Sequence, residues 1–394
     1  MAITAIVCHC IELSLALDAK KKIRLPSKFG ESLSVYNFGL TSYHQARIPS
    51  LDGIRAISIA IVLFGHLLGT RYFLGRQSAV WAGDLGALGV RIFFVISGYL
   101  ITRLILTEFA RYGGISLTRF YLRRTFRIFP AFYTLLATVA VANWLGWIKL
   151  SGRDFLYAAT YTINYMPDRS WEVGHLWSLA VEEQFYLLWP ALMMLAGPRR
   201  ALWAAAWTVV LSPLIRIVIL VWIPELRPSL GEAFHTVADP LATGCLLAGL
   251  ESWMAAREKW KQWLGSPAAA WLPLVPFVLN MVPGAKLGVL LTQTLQNTAI
   301  AAAILRLVWF PDTPFGRLLN TAPMRFIGML SYSLYLWQQI FINRYGEREW
   351  NNFPLNLAAA FLCGVLSYFL VERPFLKWRE RIEKRWLGPR DQNG

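Results

Sequence analysis

Charge is scarce in this sequence. Asp, Glu, Lys and Arg make up 16% of it, against about 25% in an ordinary soluble domain. With 56% hydrophobic residues and a mean hydropathy of +0.42, that shortage excludes a string of soluble domains. It points to an all-α, polytopic membrane helical bundle. Acidic residues are the scarcer sign, 23 against 39 Lys and Arg, for a net charge of +16. Such an excess can mark a nucleic-acid binder. Here the basic residues fall in alternate loops between apolar runs, so the partner they imply is the lipid bilayer and no nucleic acid is expected. Cysteine is rare and scattered: Cys8, Cys10, Cys245 and Cys363. This excludes a disulfide framework, and Cys8-His9-Cys10 is too small a cluster for zinc, so no metal is expected. No internal repeat is visible, which weakens an inverted-repeat transporter reading.

What is abundant is apolar runs of membrane length. Ten candidate spans stand at roughly 52–71, 87–107, 128–148, 175–196, 201–223, 234–252, 268–283, 287–309, 324–344 and 353–372. The seventh is short and holds Pro273 and Pro276, which predicts a bend. The stretch 153–166 is apolar but too short to span, and reads as a half-inserted segment lining a cavity. The 18 Trp and 15 Tyr suit interfacial belts. Residues 1–49 read as a cytosolic extension, or as a start placed too early, with a short membrane-surface helix as the functional alternative. The apolar stretch precedes the basic cluster Lys20, Lys21, Lys22, Arg24 and Lys28, the reverse of a secretory signal. Residues 50–376 form the transmembrane domain, and 377–394 a basic cytosolic tail.

With the N-terminus in the cytosol and ten alternating crossings, about 27 basic residues fall inside and roughly nine outside. Both termini are then cytosolic. His66 lies in the outer half of the first helix, and Arg91 within about two turns of the outer end of the second. His175 marks the outer boundary of the fourth, with Glu182 and Glu183 about two turns deeper. Gln338 and Gln339 lie in the outer half of the ninth. Ionisable groups at this depth pair with one another or face water, so a solvated, outward-opening cavity is expected. The bland alternative is an ion pair of Arg91 with Glu182 or Glu183.

The first helix links the two sides. Ser50 and Asp52 suit its N-terminus. Arg55 and His66 are eleven positions apart, about three turns plus 20°, so they share a face roughly 16 Å apart. Arg55 either snorkels to the headgroups or belongs to a cationic inner surface. Arg119, Arg123, Arg124 and Arg127 are concentrated on that same side. Arginine suits phosphate through its planar donor fork, and anionic lipid is the ordinary alternative.

These residues carry a family resemblance. Arg55 and His66 reproduce an Arg, ten residues, then His. Arg91, Phe93, Phe94, Ser97 and Gly98 form a second block. Arg123, Arg124, Arg127 and Pro130 form a third, and Trp177 to Tyr186 a fourth. Asp239 to Gly244, Ser331 to Trp337 and Val371 to Phe375 complete the order. Over roughly 48–376 the chain resembles the acyltransferase-3 family of integral-membrane O-acyltransferases, in a stand-alone membrane form. Many relatives have His after the last Trp of the Ser331–Trp337 block, where this chain has Gln338.

The resemblance implies an O-acyltransferase of the bacterial inner membrane, with acyl-CoA, acetyl-CoA first, as donor. The acceptor would be a hydroxyl of a glycan or small molecule. His66 would be general base or transient acyl carrier, Arg91 the oxyanion stabiliser, and Glu182 or Glu183 would orient the histidine or hold acceptor hydroxyls. Arg55, Arg119, Arg123, Arg124 and Arg127 would hold the donor's phosphates. Trp177, Ser97, His175 and Gln338 would line the substrate site. The alternative is a secondary transporter of an anionic or sugar-like solute, with His66 and the glutamates as proton relays.

Overall fold

The computed structural model describes residues 48, 50–74, 84–281 and 286–386. Apart from residue 48, the expected N-terminal extension, with Cys8 and Cys10, lies outside them, as do the last eight residues of the basic tail. Among the described residues there are helices and no strands. Ten principal helices carry the architecture: α1 Leu51–Leu67, α2 Leu85–Tyr112, α3 Leu117–Trp144, α4 Leu176–Ala196, α5 Pro198–Trp222, α6 Asp239–Ala255, α7 Lys286–Trp309, α8 Ala322–Phe341, α9 Leu355–Ser367 and α10 Arg373–Trp386. A π-helical turn, Tyr368–Glu372, joins α9 to α10.

Among the described residues four helices are long and apolar enough to cross a membrane: Leu85–Tyr112, Leu117–Trp144, Pro198–Trp222 and Leu355–Arg385. Ten such spans were expected, and the shortfall has visible causes. Helices α1 and α6 have 17 residues each. Helices α4, α7 and α8 carry glutamate, glutamine and asparagine in mid-run, several of them buried: Gln296, Asn297, Gln338 and Gln339. The run 268–283 breaks at its prolines into a 3-10 stretch Ala268–Leu274 and a short helix Val275–Asn280. Polar groups turned inward lower a helix's mean hydropathy without exposing them to lipid.

Helix α2 is the hub. Its apolar residues are spread around the helix, as suits one packed on several sides, and 67% of its apolar window is buried against 22% for α5. It packs on α1 and α6; α1 also packs on α8, α8 on α9, and α5 on α6. The α2–α6 crossing depends on two glycines. A β-carbon at Gly98 would strike the Leu241 carbonyl, and one at Gly244 the Val95 carbonyl. Close backbone approach through small residues is how helices associate where lipid removes the hydrophobic drive between them. Ile59, Phe94, Phe132, Leu135 and Leu334 fill one core cluster, and Ile92, Val95, Tyr99 and Ile304 another.

One local expectation changes. Ser50 makes no side-chain cap to α1, because its backbone is left-handed at φ 65. Asn320 takes its place as partner, accepting from Ser50 N at 2.8 Å and donating to Ser50 Oγ at 3.0 Å. The stretch 153–166 forms a short helix, Gly152–Ala159, and a 3-10 turn, Ile163–Tyr165. Ser151 and Asp154 close a capping box at its start. Asp154 also accepts from Ser170 N at 3.0 Å and Ser170 Oγ at 2.9 Å, tying two loop segments together.

Candidate active site

His66 sits one residue before the end of α1, where that helix meets the start of α2. The approach is close: a β-carbon on Gly65 would lie 2.7 Å from Gly86 N. The imidazole is fixed from α8, with Nδ1–H donating to Gln338 Oε1 at 2.9 Å. Its other nitrogen, Nε2, is 3.5 Å from Gln339 Nε2. The Trp171 ring stands edge-on, with centroids 6.0 Å apart. His66 lines a cavity of about 700 Å³, whose wall also includes Arg91, Arg169, Trp171, His175, Trp177, Glu232 and Gln339.

Arg91 reaches this cavity from α2 and is braced from behind. Its Nη1 donates to Asn297 Oδ1 at 2.9 Å and lies 3.9 Å from Asp239 Oδ2. Asn297 Nδ2 donates to the same Asp239 oxygen at 2.8 Å, and Arg216 holds Asp239 in a fork at 2.8 and 3.2 Å. Asp239 and Asn297 are each 1% exposed. A charge so buried is tolerable only when it is paired and hydrogen-bonded. The carboxylate partner of Arg91 is therefore Asp239, not Glu182 or Glu183.

The glutamates lie nearer the other end. Glu182 Oε1 accepts from Ser97 Oγ at 2.7 Å, and Tyr186 OH donates to Ser97 Oγ at 3.2 Å. Ser97 is six residues further along α2 than Arg91, about 9 Å by helical rise. Glu182 is within electrostatic reach of Arg124 and Arg55. Glu183 lines a second, small cavity of about 40 Å³ with Tyr121, Arg124, Gln184 and Tyr186. The Arg124 guanidinium lies 4.7 Å from the Tyr186 ring centroid. The groups expected at a similar depth on four helices thus divide, with His66, Arg91 and Gln339 at one cavity and the glutamates beside the arginines. Hydrophobic pattern gives the facing of each helix, but helix stagger decides which groups meet.

The expected cationic cluster also divides. Arg123 Nε donates to Glu383 of α10 at 2.9 Å, and Arg119 Nη1 is 3.9 Å from the same carboxylate. Arg55 pairs with Asp52 at 3.3 Å within α1. Arg127 is within electrostatic reach of Arg55 and of buried Glu372. Arg55, Arg124 and Arg127 remain a group; Arg119 and Arg123 clamp the C-terminal helix.

Of the expected substrate residues, Trp177 and His175 line the large cavity. Ser97 stands with Glu182, and Gln338 lies behind His66, fully buried. Sequence reasoning missed Arg216, Asn297, Arg169 and Trp171. An arginine at 216 inside an apolar run, and Gln293, Gln296 and Asn297 on one helical face, were signals present in the sequence. The Arg169–Glu232 ion pair at the cavity wall joins residues 63 positions apart and left no local trace. Among the described residues no group of three or more His, Cys, Asp or Glu could hold a metal ion.

A family model described as an acyltransferase domain matches residues 48–373, so the chain belongs to that acyltransferase domain family. The resemblance read from the sequence is thereby borne out over nearly the same range. The chain is 28% identical over 379 residues to a peptidoglycan O-acetyltransferase, OatA, of Listeria monocytogenes, covering 86% of this chain and 57% of that protein. It is 30% identical over 381 residues to a putative O-acetyltransferase of Staphylococcus aureus strain COL, covering 86% and 59%. The O-acetyltransferase OatA of Staphylococcus aureus strain NCTC 8325 matches at 28% over 368 residues, covering 85% and 58%. The chain thus spans less than three fifths of the length of these curated relatives. No solved structure matches it.

Proposed function

We propose that this protein is a membrane O-acyltransferase that moves an acyl group, acetyl first, from acyl-CoA to a hydroxyl of a glycan or small molecule. The observation that carries the reading is that His66 and Arg91, on different helices, line one cavity with two tryptophans in its wall. His66 Nε2 takes the proton of the acceptor hydroxyl as the oxygen attacks the thioester carbonyl. Arg91 stabilises the oxyanion of the tetrahedral intermediate. The carbon–sulfur bond then breaks, and the imidazolium returns its proton to the departing thiolate. A transient acyl-imidazole would use the same nitrogen.

The donor's phosphates enter at the opposite end of α1, among Arg55, Arg124 and Arg127. Glu182 and Glu183 act there as countercharges, not as partners of His66. Arg119 and Arg123 hold α10 instead of donor. The excess of basic residues in alternate loops supports a multi-pass protein of the bacterial inner membrane with both termini cytosolic. A relative named as a peptidoglycan O-acetyltransferase makes cell-wall glycan the first acceptor to try.

The test uses the full chain in nanodiscs with radiolabelled acetyl-CoA. Thioester cleavage or transfer by wild type, lost in His66→Ala, is the expected result. If wild type leaves the thioester intact, the donor assignment fails, and labelled solute uptake by proteoliposomes then tests the transporter alternative.

A further inference from the structure

Helix α8 carries two glutamines in tandem, and only one of them lines the cavity. Gln339 does, its Oε1 accepting from the His175 backbone N–H at 2.8 Å. Gln338 is 0% exposed. Its side-chain Oε1 accepts the His66 Nδ1 proton at 2.9 Å, while its Nε2 is buried with no hydrogen-bond partner among the described residues. Turning the amide over would leave the oxygen orphaned instead. In either orientation one end faces His66 and the other is unsatisfied.

Packing does not explain such a residue. A buried amide end without a partner destabilises a fold, and an unbranched apolar side chain of similar volume would fill the space without that penalty. Positions that break a local rule in this way are where function is expected to compensate. The compensation visible here is the bond to His66. A neutral imidazole has one N–H and one lone pair, and the partner of one nitrogen decides which nitrogen keeps the lone pair. The structure places the Gln338 oxygen, an acceptor, at His66 Nδ1, and an amide donor of Gln339 stands 3.5 Å from His66 Nε2; together they select the tautomer with the proton on Nδ1 and the lone pair on Nε2.

We infer that Gln338 is a positioning residue that fixes the tautomer and orientation of His66, keeping the proton on Nδ1 and the Nε2 lone pair toward the cavity. Its consequence for rate rests on the reading of His66 as the base. Its consequence for the tautomer does not.

The full chain in nanodiscs is compared as wild type, Gln338→Met, Gln338→Glu and His66→Ala. The first readout is the ¹⁵N spectrum of histidine-labelled protein, with the His66 signals assigned by their loss in His66→Ala. The sequence has only five histidines, which keeps that assignment simple. Wild type should show protonated Nδ1 and unprotonated Nε2, and Gln338→Met should shift or mix the tautomers. The second readout is CoA release from acetyl-CoA. Gln338→Met should lower kcat by about 10- to 100-fold, leave the KM for acetyl-CoA within about twofold, and melt no lower than wild type. Gln338→Glu keeps an oxygen acceptor and should recover most of kcat. A protonated Nε2 in wild type would overturn the inference. So would a Gln338→Met variant that melts lower and loses activity only in proportion to folded protein. An inactive His66→Ala beside a fully active Gln338→Met would overturn the effect on rate alone. An active His66→Ala would instead overturn the reading of His66 as base, and the spectrum would still decide the tautomer.

Discussion

The two ends of α1 are built differently. At the His66 end the polar groups surround about 700 Å³ of open space, and the charge of Arg91 is answered through Asn297 and Asp239. At the Arg55 end Arg124 and Glu183 line a cavity of only about 40 Å³, with Arg124 over Tyr186 and Glu182 accepting from Ser97 nearby. One end has room for a substrate, and its arginines Arg91 and Arg169 face carboxylates, Asp239 and Glu232. The other has little room. In the proposed function the first is the place for chemistry and the second the place for electrostatic capture of the donor, joined by one helical face.

The sharpest way to break this comparison is at His66. His66→Ala should lower transfer by at least about 10²-fold, the usual worth of a general base, with the thermal midpoint unchanged. Equal activity would remove the chemical role of that end. Arg91→Ala should come next, with kcat lower by about 10²- to 10³-fold if its guanidinium meets the oxyanion. Arg91→Lys should recover only part, because a point charge lacks the planar fork. A KM effect without a kcat effect would make Arg91 a binding group instead.

At the other end the prediction is one of kind. Arg124→Ala should raise the KM for acetyl-CoA by about tenfold while sparing kcat, as loss of one charge-assisted contact would. Arg123→Ala should leave that KM alone, since its partner is Glu383, and an exposed pair of this type contributes about 1 kcal/mol or less. Equal effects of the two variants would merge what the structure divides.

Much of this division was not legible in the chain. The 3.6-residue periodicity put Arg55 and His66 on one face, and the structure keeps them at opposite ends of one helix. The mid-run prolines announced the broken segment at 268–283. What the chain could not give was depth. Arg91 and Glu182 were expected at one level because each helix was counted from its own uncertain end. The partner of Arg91 depends on α5, α6 and α7 converging on Asp239, a long-range arrangement without local signature. The orphaned amide of Gln338 is likewise visible only once α8 is seated against α1.

The smallest expected effect lies outside the membrane-spanning helices and leaves both ends untouched. Burial alone would raise the pKa of Asp154, but hydrogen bonds from Ser170 and Ser151 outweigh it and hold the carboxyl below its ordinary value. A depressed folded-state pKa contributes stability above the unfolded value of about 4, and that contribution is lost as pH falls through the folded one. Asp154→Asn should therefore melt lower than wild type at pH 7, with the gap closing on acidification. A gap that persists unchanged at low pH would assign the effect to packing.

In the proposed function the two ends of α1 serve opposite sides of the membrane. The direct measurement uses sealed inside-out vesicles carrying the full chain, with radiolabelled acetyl-CoA added outside and cell-wall glycan fragments trapped within. Label on the trapped glycan, absent with His66→Ala, is the predicted result. Label only on glycan supplied on the donor's own side, or label on trapped glycan that persists without His66, would contradict it.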